Sequence, residues 1–261
     1  MPAPRNGSPG ASDEHPMTLA TPIRLPRPMV LAFHEIVGER FSGLYKLSTA
    51  QFEDYLHVVQ ELCKETSPNS PSIRITFDDG HISNYHLALP LLERHRVRAM
   101  FFVTAGSIGG STQHMRGSPL KQLAASGHEV QSNAWAHRGL TDCSQHPLEE
   151  ELLRARETLE ENLAFPARKI AIPYGRYNVR VLKACTAAGY EQVYTSDPWM
   201  GFHLRWGVRV CRRLSVRSTL GPVELRRLLT LKAFPYLYQR TKSRGKEVIK
   251  TLLGDNFYKC L

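Results

Sequence analysis

Residues 72–80, S-I-R-I-T-F-D-D-G, constrain this chain more than any other stretch. Ile73, Ile75 and Phe77 alternate with Arg74 and Thr76, the period-two pattern of a strand with one buried face. The strand then runs into two carboxylates. Consecutive strand side chains point to opposite faces, so Asp78 and Asp79 can serve one site only if the chain bends there, and Gly80 permits that bend. An Asp-Asp-Gly hairpin turn would give the same letters. Residues 84–95 read as a helix rather than a partner strand, which favours a pair of acids at a strand's end.

The rest of the chain repeats the theme. Residues 29–36, M-V-L-A-F-H-E-I, form a nearly continuous apolar run, as expected for a strand buried on both faces, and end in His34 and Glu35. Thr49 is read as the N-cap of a helix that places Phe52, Leu56, Val59 and Leu62 on one face. Strands are predicted over 98–104, 129–132, 169–172 and 192–195, and helices over 119–125, 147–163 and 179–188, the last closed by Gly189. Repeated β-α units imply a parallel sheet, open or closed into a barrel, with sites at the C-terminal ends of the strands. The polar motifs fall there: His34-Glu35, Asp78-Asp79, the run Asn133 to His137, Pro173-Tyr174-Gly175 and Asp197-Pro198-Trp199. If the strands are parallel neighbours, these converge on one rim. Asn133 and His137 are four residues apart, so one helical turn would put them on the same side.

A chain of 261 residues, 42% hydrophobic, suffices for one large α/β domain or two small ones. Five cysteines, at 63, 143, 185, 211 and 260, contain no C-x-x-C pair, which argues against a disulfide framework or a zinc ribbon and for a reducing compartment. There is neither a long apolar span nor the charged start and apolar run of a secretory signal, so a cytoplasmic location is expected. Residues 1–27 read as a flexible Pro/Gly/Ser-rich arm, 28–220 as the folded domain and 221–261 as a basic, helical extension. Of the net charge of +10, residues 205–250 carry more than all, with thirteen Lys and Arg against Glu224 and Glu247. The extension reads as a solvated helix packing its leucines on the domain, in preference to a surface for a membrane or an anionic polymer. No nucleic-acid motif accompanies it. Residues 206–216 alternate apolar and basic side chains and are read as the last strand.

The sequence resembles the polysaccharide deacetylases of carbohydrate esterase family 4. The resemblance rests on T-F-D-D-G at 76–80, G-H-E-V-x-S-N-x-W-x-H at 127–137 and P-Y-G at 173–175, and covers about residues 29–216. It implies a distorted (β/α) barrel. It also implies a hydrolase that removes N-acetyl or O-acetyl groups from a sugar polymer with a divalent metal, usually zinc. Carried over by position, Asp78 resembles the family's catalytic base, Asp79 its metal-binding aspartate and His137 the second of its two metal histidines. Tyr174 lies where a backbone N–H would help hold the oxyanion. In some members the motif with the acid histidine comes first in the chain, and Phe33-His34 resembles that arrangement, making His34 the candidate acid. Trp135, Asp197 and Trp199, with Tyr174, are the candidate substrate wall.

Two positions depart from the pattern. Ala171 stands where most members place an arginine, although the early-histidine subgroup often lacks it too. Asn133 stands where the first metal histidine is expected. An amide oxygen is a poorer zinc ligand than an imidazole, so weak metal binding is expected. His128, His81 and His114 are not read as replacements. Three readings follow: a metal-dependent deacetylase, an impaired deacetylase-like domain that binds carbohydrate without turnover, and a basic scaffold acting through its tail.

Overall fold

The computed structural model describes residues 28–39, 42–66, 73–197 and 201–230. The expected arm at 1–27, the extension beyond residue 230 and Trp199 lie outside them. Strand β1 (Met29–Phe33) stops at His34, and β2 (Glu35–Val37) turns away to pair with β3 (Lys46–Ser48). The run expected as one strand over 29–36 is therefore broken at its histidine. Asn84 explains the break: its buried amide donates to the His34 carbonyl at 2.7 Å and accepts from the Ile36 N–H at 3.4 Å.

Helix α1 (Thr49–Glu65) begins one residue earlier in the capping scheme than expected. Ser48, not Thr49, is the N-cap, and it exchanges hydrogen bonds with Gln51 in a capping box. Then come β4 (Ile73–Phe77), a π-helical turn (Asn84–Ala88), α2 (Leu89–Arg94), β5 (Ala99–Val103), α3 (Gly117–Ala125), β6 (Glu129–Ser132) and α4 (Gln145–Leu163). The chain continues through β7 (Lys169–Ala171), α5 (Val179–Ala187), β8 (Gln192–Tyr194), β9 (Phe202–Arg205), β10 (Val208–Cys211), β11 (Leu214–Ser215) and α6 (Pro222–Leu229). The single strand expected over 206–216 is divided. The Trp206-Gly207 turn joins antiparallel β9 and β10, and β11 leaves to another neighbour.

The main sheet runs β11-β1-β4-β5-β6-β7-β8-β10-β9, parallel throughout except for its last pair. Its two sides meet through the chain itself. Strand β10 pairs with β8, β11 pairs with β1, and only Arg212 and Arg213 lie between them in sequence. The result is a distorted (β/α) barrel with a seam at those two arginines.

The strands' alternation sorts two cores. Leu31, Phe33, Ile75, Phe77 and Phe101 face the helices and pack with Phe52, Tyr55 and Leu56 of α1. Phe77 stacks on Phe101 with centroids 4.9 Å apart, and Phe33 meets Phe52 edge-on at 5.2 Å. Each such buried aromatic contributes about 1.5–3 kcal/mol through removal from water. The opposite parity, Val30, Met100, Phe102, Ala171, Tyr194 and Cys211, fills the barrel interior. Among the described residues, no helix is long and apolar enough to cross a membrane.

The bend expected after β4 is present, with φ of 70° at Asp79 and 74° at Gly80. A Cβ at Gly80 would stand 2.9 Å from a Val103 methyl. Gly80→Ala is therefore expected to cost about 1–3 kcal/mol through left-handed strain and the displacement of Val103. Urea denaturation followed by tryptophan fluorescence measures it, and an unchanged midpoint would show that the turn relaxes freely.

Candidate active site

Asp78 continues the inward parity of β4, and its N–H still donates to the Phe33 carbonyl at 2.9 Å, so the backbone is tied to β1 where the side chain enters the barrel. There it meets Arg213. Nη1 and Nη2 of Arg213 donate to the two carboxylate oxygens at 2.6 and 2.7 Å. The arginine is 1% exposed, although no sequence feature assigned it a role. Its Nε donates to the Thr195 carbonyl at 3.2 Å, Nη1 also reaches Thr76 Oγ1, and the guanidinium lies 5.2 Å from the Phe102 ring centroid. A fork of donors thus fixes the carboxylate's plane and balances its charge, while lone pairs remain for a water proton. The trace in the sequence is parity: Arg213 stands two residues after Cys211, which fills the barrel interior, and so continues on the same face.

Asp79 takes the other direction. Its left-handed backbone swings the carboxylate to the rim, where Oδ1 lies 3.1 Å from His137 Nε2 and accepts from Asn133 Nδ2 at 3.0 Å. Burial pushes the Asp79 carboxyl up, but the His137 hydrogen bond, nearby imidazole charge and the Asn133 amide together hold it below the ordinary carboxylate value. Burial likewise pulls His137 down, and the bond and charge of Asp79 outweigh it, leaving the imidazole above its ordinary value. This donor set fits a divalent ion. A carboxylate oxygen and an imidazole nitrogen 3.1 Å apart can share one ion at bonds of about 2.0–2.2 Å. A half-turn of the Asn133 amide exchanges Nδ2 for Oδ1 and adds an oxygen ligand.

The helical turn expected between Asn133 and His137 is absent. Residues 133–137 form an irregular loop with φ of 63° at Ala134 and 54° at His137, and convergence comes from these left-handed residues. Buried Glu151 of α4 holds that shape, accepting from the N–H groups of Trp135 and Ala136 at 3.1 and 2.8 Å. Nothing in the sequence singled out Glu151, except that an acid occupies the apolar face of an amphipathic helix. Trp135 is partly buried. Arg154 lies 3.8 Å over its ring and Gly106 packs against it, so it anchors the loop as much as it lines a wall.

His34 sits at the β1–β2 break, its ring 4.8 Å from that of Tyr45 and its charge felt by Asp79. Its Nδ1 is buried without a hydrogen-bond partner among the described residues. Tyr174, with φ of 59°, is 67% exposed and its ring lies 5.0 Å from that of His137, so it stands at the mouth of the cleft. Asp197 lies farther along the rim, 3.4 Å from Arg212 Nε. His128 is buried at the start of β6, where Nδ1 accepts the Ala99 N–H at 3.1 Å. His81 and His114 bridge two loops and turn to Ser83 and Ser111.

With two adjacent carboxylates in these separate environments, comparison with known proteins becomes specific. The family model for polysaccharide deacetylase matches residues 65–193. Those residues form a polysaccharide deacetylase domain. A chitooligosaccharide deacetylase of Sinorhizobium fredii is 32% identical over 150 residues, 56% of this chain and 65% of that protein. A peptidoglycan-N-acetylglucosamine deacetylase of Listeria monocytogenes is 31% identical over 110 residues, 42% of this chain and 22% of that protein. The chain spans 49% to 65% of the length of three curated relatives it matches. The structure of the Streptococcus pyogenes deacetylase PplD shares the fold, with a TM-score of 0.70 at 20% identity over 78% of this chain and 99% of that one.

Ala171, which stands where the resemblance implies an arginine, packs in the barrel interior with Tyr194 and Phe102. A buried guanidinium reaches the interior from position 213 instead. Replacing it by methionine would leave Asp78 as an uncompensated buried charge, so Arg213→Met should lose about 3–5 kcal/mol of stability in chemical denaturation. Combining it with Asp78→Leu should recover most of that loss. A double variant as unstable as the single one would show that packing at 213, not the ion pair, sets the cost.

Proposed function

We propose that this protein is a metal-dependent hydrolase that removes acetyl groups from the amino, or hydroxyl, positions of an acetylated oligo- or polysaccharide. The observation that carries the reading is the division of labour at the end of β4. One carboxylate is locked inward by Arg213, and its neighbour is turned to the rim beside His137 and Asn133. General-base catalysis and ion binding need two acids in different environments, and one bend supplies both.

In this mechanism Asp79 and His137 would hold the ion, and the Asn133 amide, turned to present its oxygen, would serve as a third ligand. The ion, when bound, polarises the acetyl carbonyl and acidifies water. Asp78 accepts the water proton as the oxygen–carbon bond forms, and Arg213 keeps the carboxylate aimed while it does so. His34, across the cleft, gives a proton to the departing nitrogen as the carbon–nitrogen bond breaks, leaving acetate and a free amine. The exposed Tyr174 offers an aromatic face to a sugar ring at the cleft mouth. An acetylated carbohydrate is thus the expected partner, in line with the substrates named for the relatives.

A second reading has its own support. Asn133 supplies a hydrogen-bond donor to Asp79 where a metal ligand would serve better, as in a domain that binds carbohydrate without turning it over. Acetate release from N-acetylglucosamine oligomers separates the two. The enzyme reading expects activity that chelator abolishes and added zinc or cobalt restores, with a loss of about 10²–10⁴-fold in Asp78→Asn. Asn133→His should tighten metal binding and raise activity with it. If Asn133→His gains metal, yet neither protein releases acetate and Asp78→Asn changes nothing, the carbohydrate-binding reading replaces the enzyme.

A further inference from the structure

A second group of ligating side chains lies in the outer helical layer. Glu53 and His57 are four residues apart on α1, so their side chains leave the same side of the helix. His95, at the C-terminal end of α2, faces them. One ligand atom from each of the three lies within 4.8 Å of the other two. His57 and His95 meet edge-on, with ring centroids 4.8 Å apart and planes at 88°. The chain runs from His95 to the start of β5, so this cluster sits toward the end of the strands opposite the Asp79 cleft.

The arrangement around His95 goes beyond a chance meeting of polar groups. Its side chain is 9% exposed. Gln60 grips it twice, donating Nε2–H to the His95 carbonyl at 2.7 Å and placing Oε1 3.2 Å from ring Nδ1. A carbonyl oxygen on Nδ1 selects the tautomer with the proton there and turns the Nε2 lone pair outward. That lone pair points at Glu53 Oε1, 2.8 Å away. Two acceptors at such a distance need a cation between them, either a proton or a metal ion. Arg94 also donates to Glu53 Oε1, at 2.5 Å, so the carboxylate already draws positive charge from two sides. The His95 hydrogen bond, opposed by burial and aided by Arg94, holds the Glu53 carboxyl below its ordinary value.

We propose that Glu53, His57 and His95 form a second metal site, for a divalent first-row cation such as zinc, that clasps α1 to the end of α2. Two imidazoles and one carboxylate suit zinc, with solvent completing the shell beside exposed His57. Gln60 acts as the outer partner that orients a histidine ligand. Arg94 competes for the same carboxylate and has to yield Oε1 when the ion enters. The ion crosslinks two helices on the barrel's outer wall and stabilises the fold by mass action, independently of chemistry in the cleft.

The test uses the full chain with the cleft silenced by Asp79→Asn and His137→Gln, stripped by chelator and dialysed against zinc chloride. The expected result is one zinc per chain and a melting temperature that rises with zinc. Adding His57→Gln, at an exposed position that folding tolerates, should abolish both effects. Gln60→Ala should weaken zinc binding by about 10–100-fold. Arg94→Ala should strengthen it, whereas a purely proton-bridged cluster would gain no zinc affinity from that change. A silenced chain that takes up no zinc, or takes up the same amount with and without His57, overturns the proposal. The outcome is read from zinc stoichiometry and melting, so it stands apart from whether the cleft deacetylates sugars.

Discussion

The ion pair between Asp78 and Arg213 is the interaction on which the rest of the architecture turns. A carboxylate inside a barrel lined by Phe102 and Tyr194 is expensive to desolvate, and only a partner with two parallel donors and no exit to water balances it. Arg213 is also placed where the barrel would otherwise gape, between the strand that pairs with β8 and the strand that pairs with β1. The same side chain thus neutralises the interior acid and ties the ends of β4 and β8 together through Thr76, Asp78 and Thr195. Closing the barrel and preparing the inner carboxylate are one event.

The outer half of the site depends on a different kind of constraint. Asp79, Ala134, His137 and Tyr174 all adopt left-handed backbone angles, which non-glycine residues take only when their surroundings hold them there. Here the holders are identifiable. Glu151 fixes the loop after β6 through two N–H groups, and Asn84 fixes the segment carrying His34 through one carbonyl and one N–H. Neither residue touches the cleft's polar centre, yet each sets the direction in which a site side chain points. The strain concentrated on this rim is what turns strand ends into a convergent group.

Much of this was legible in the sequence, for physical reasons. The alternation in 73–77, the apolar run at 29–33 and the amphipathic helices reported the parallel α/β architecture, because burial imposes those periods directly. The bend at Gly80 was legible because a glycine after two acids has few other uses. What the sequence concealed were contacts that depend on tertiary closure. Asn133 and His137 have helical spacing, but their convergence arises from a loop that α4 braces. The segment 206–216 reads as one strand, but the chain leaves β10 at the doubled arginine and crosses from the β8 side of the sheet to β1. Arg213 is 135 residues from its partner, beyond the reach of any local pattern. Glu53 and His57 stand one helical turn apart, but no local pattern joins them to His95, since that meeting is set by the packing of α1 beside the end of α2.

The seam at Arg212 and Arg213 also bears on how the molecule is made. Strand β11 meets β1 at only two positions, Leu31 opposite Leu214 and Ala32 opposite Ser215, and among the described residues it is the last strand to leave the ribosome. Until it emerges, a nascent chain can pair β1 with β4 and stack their aromatic faces, but the acid at the end of β4 has no counter-charge and the ring stays open. The final strand works as a latch. Asp78 gains its partner only once residue 213 has been made, so the cleft can take its finished electrostatic form only after translation has moved past that residue.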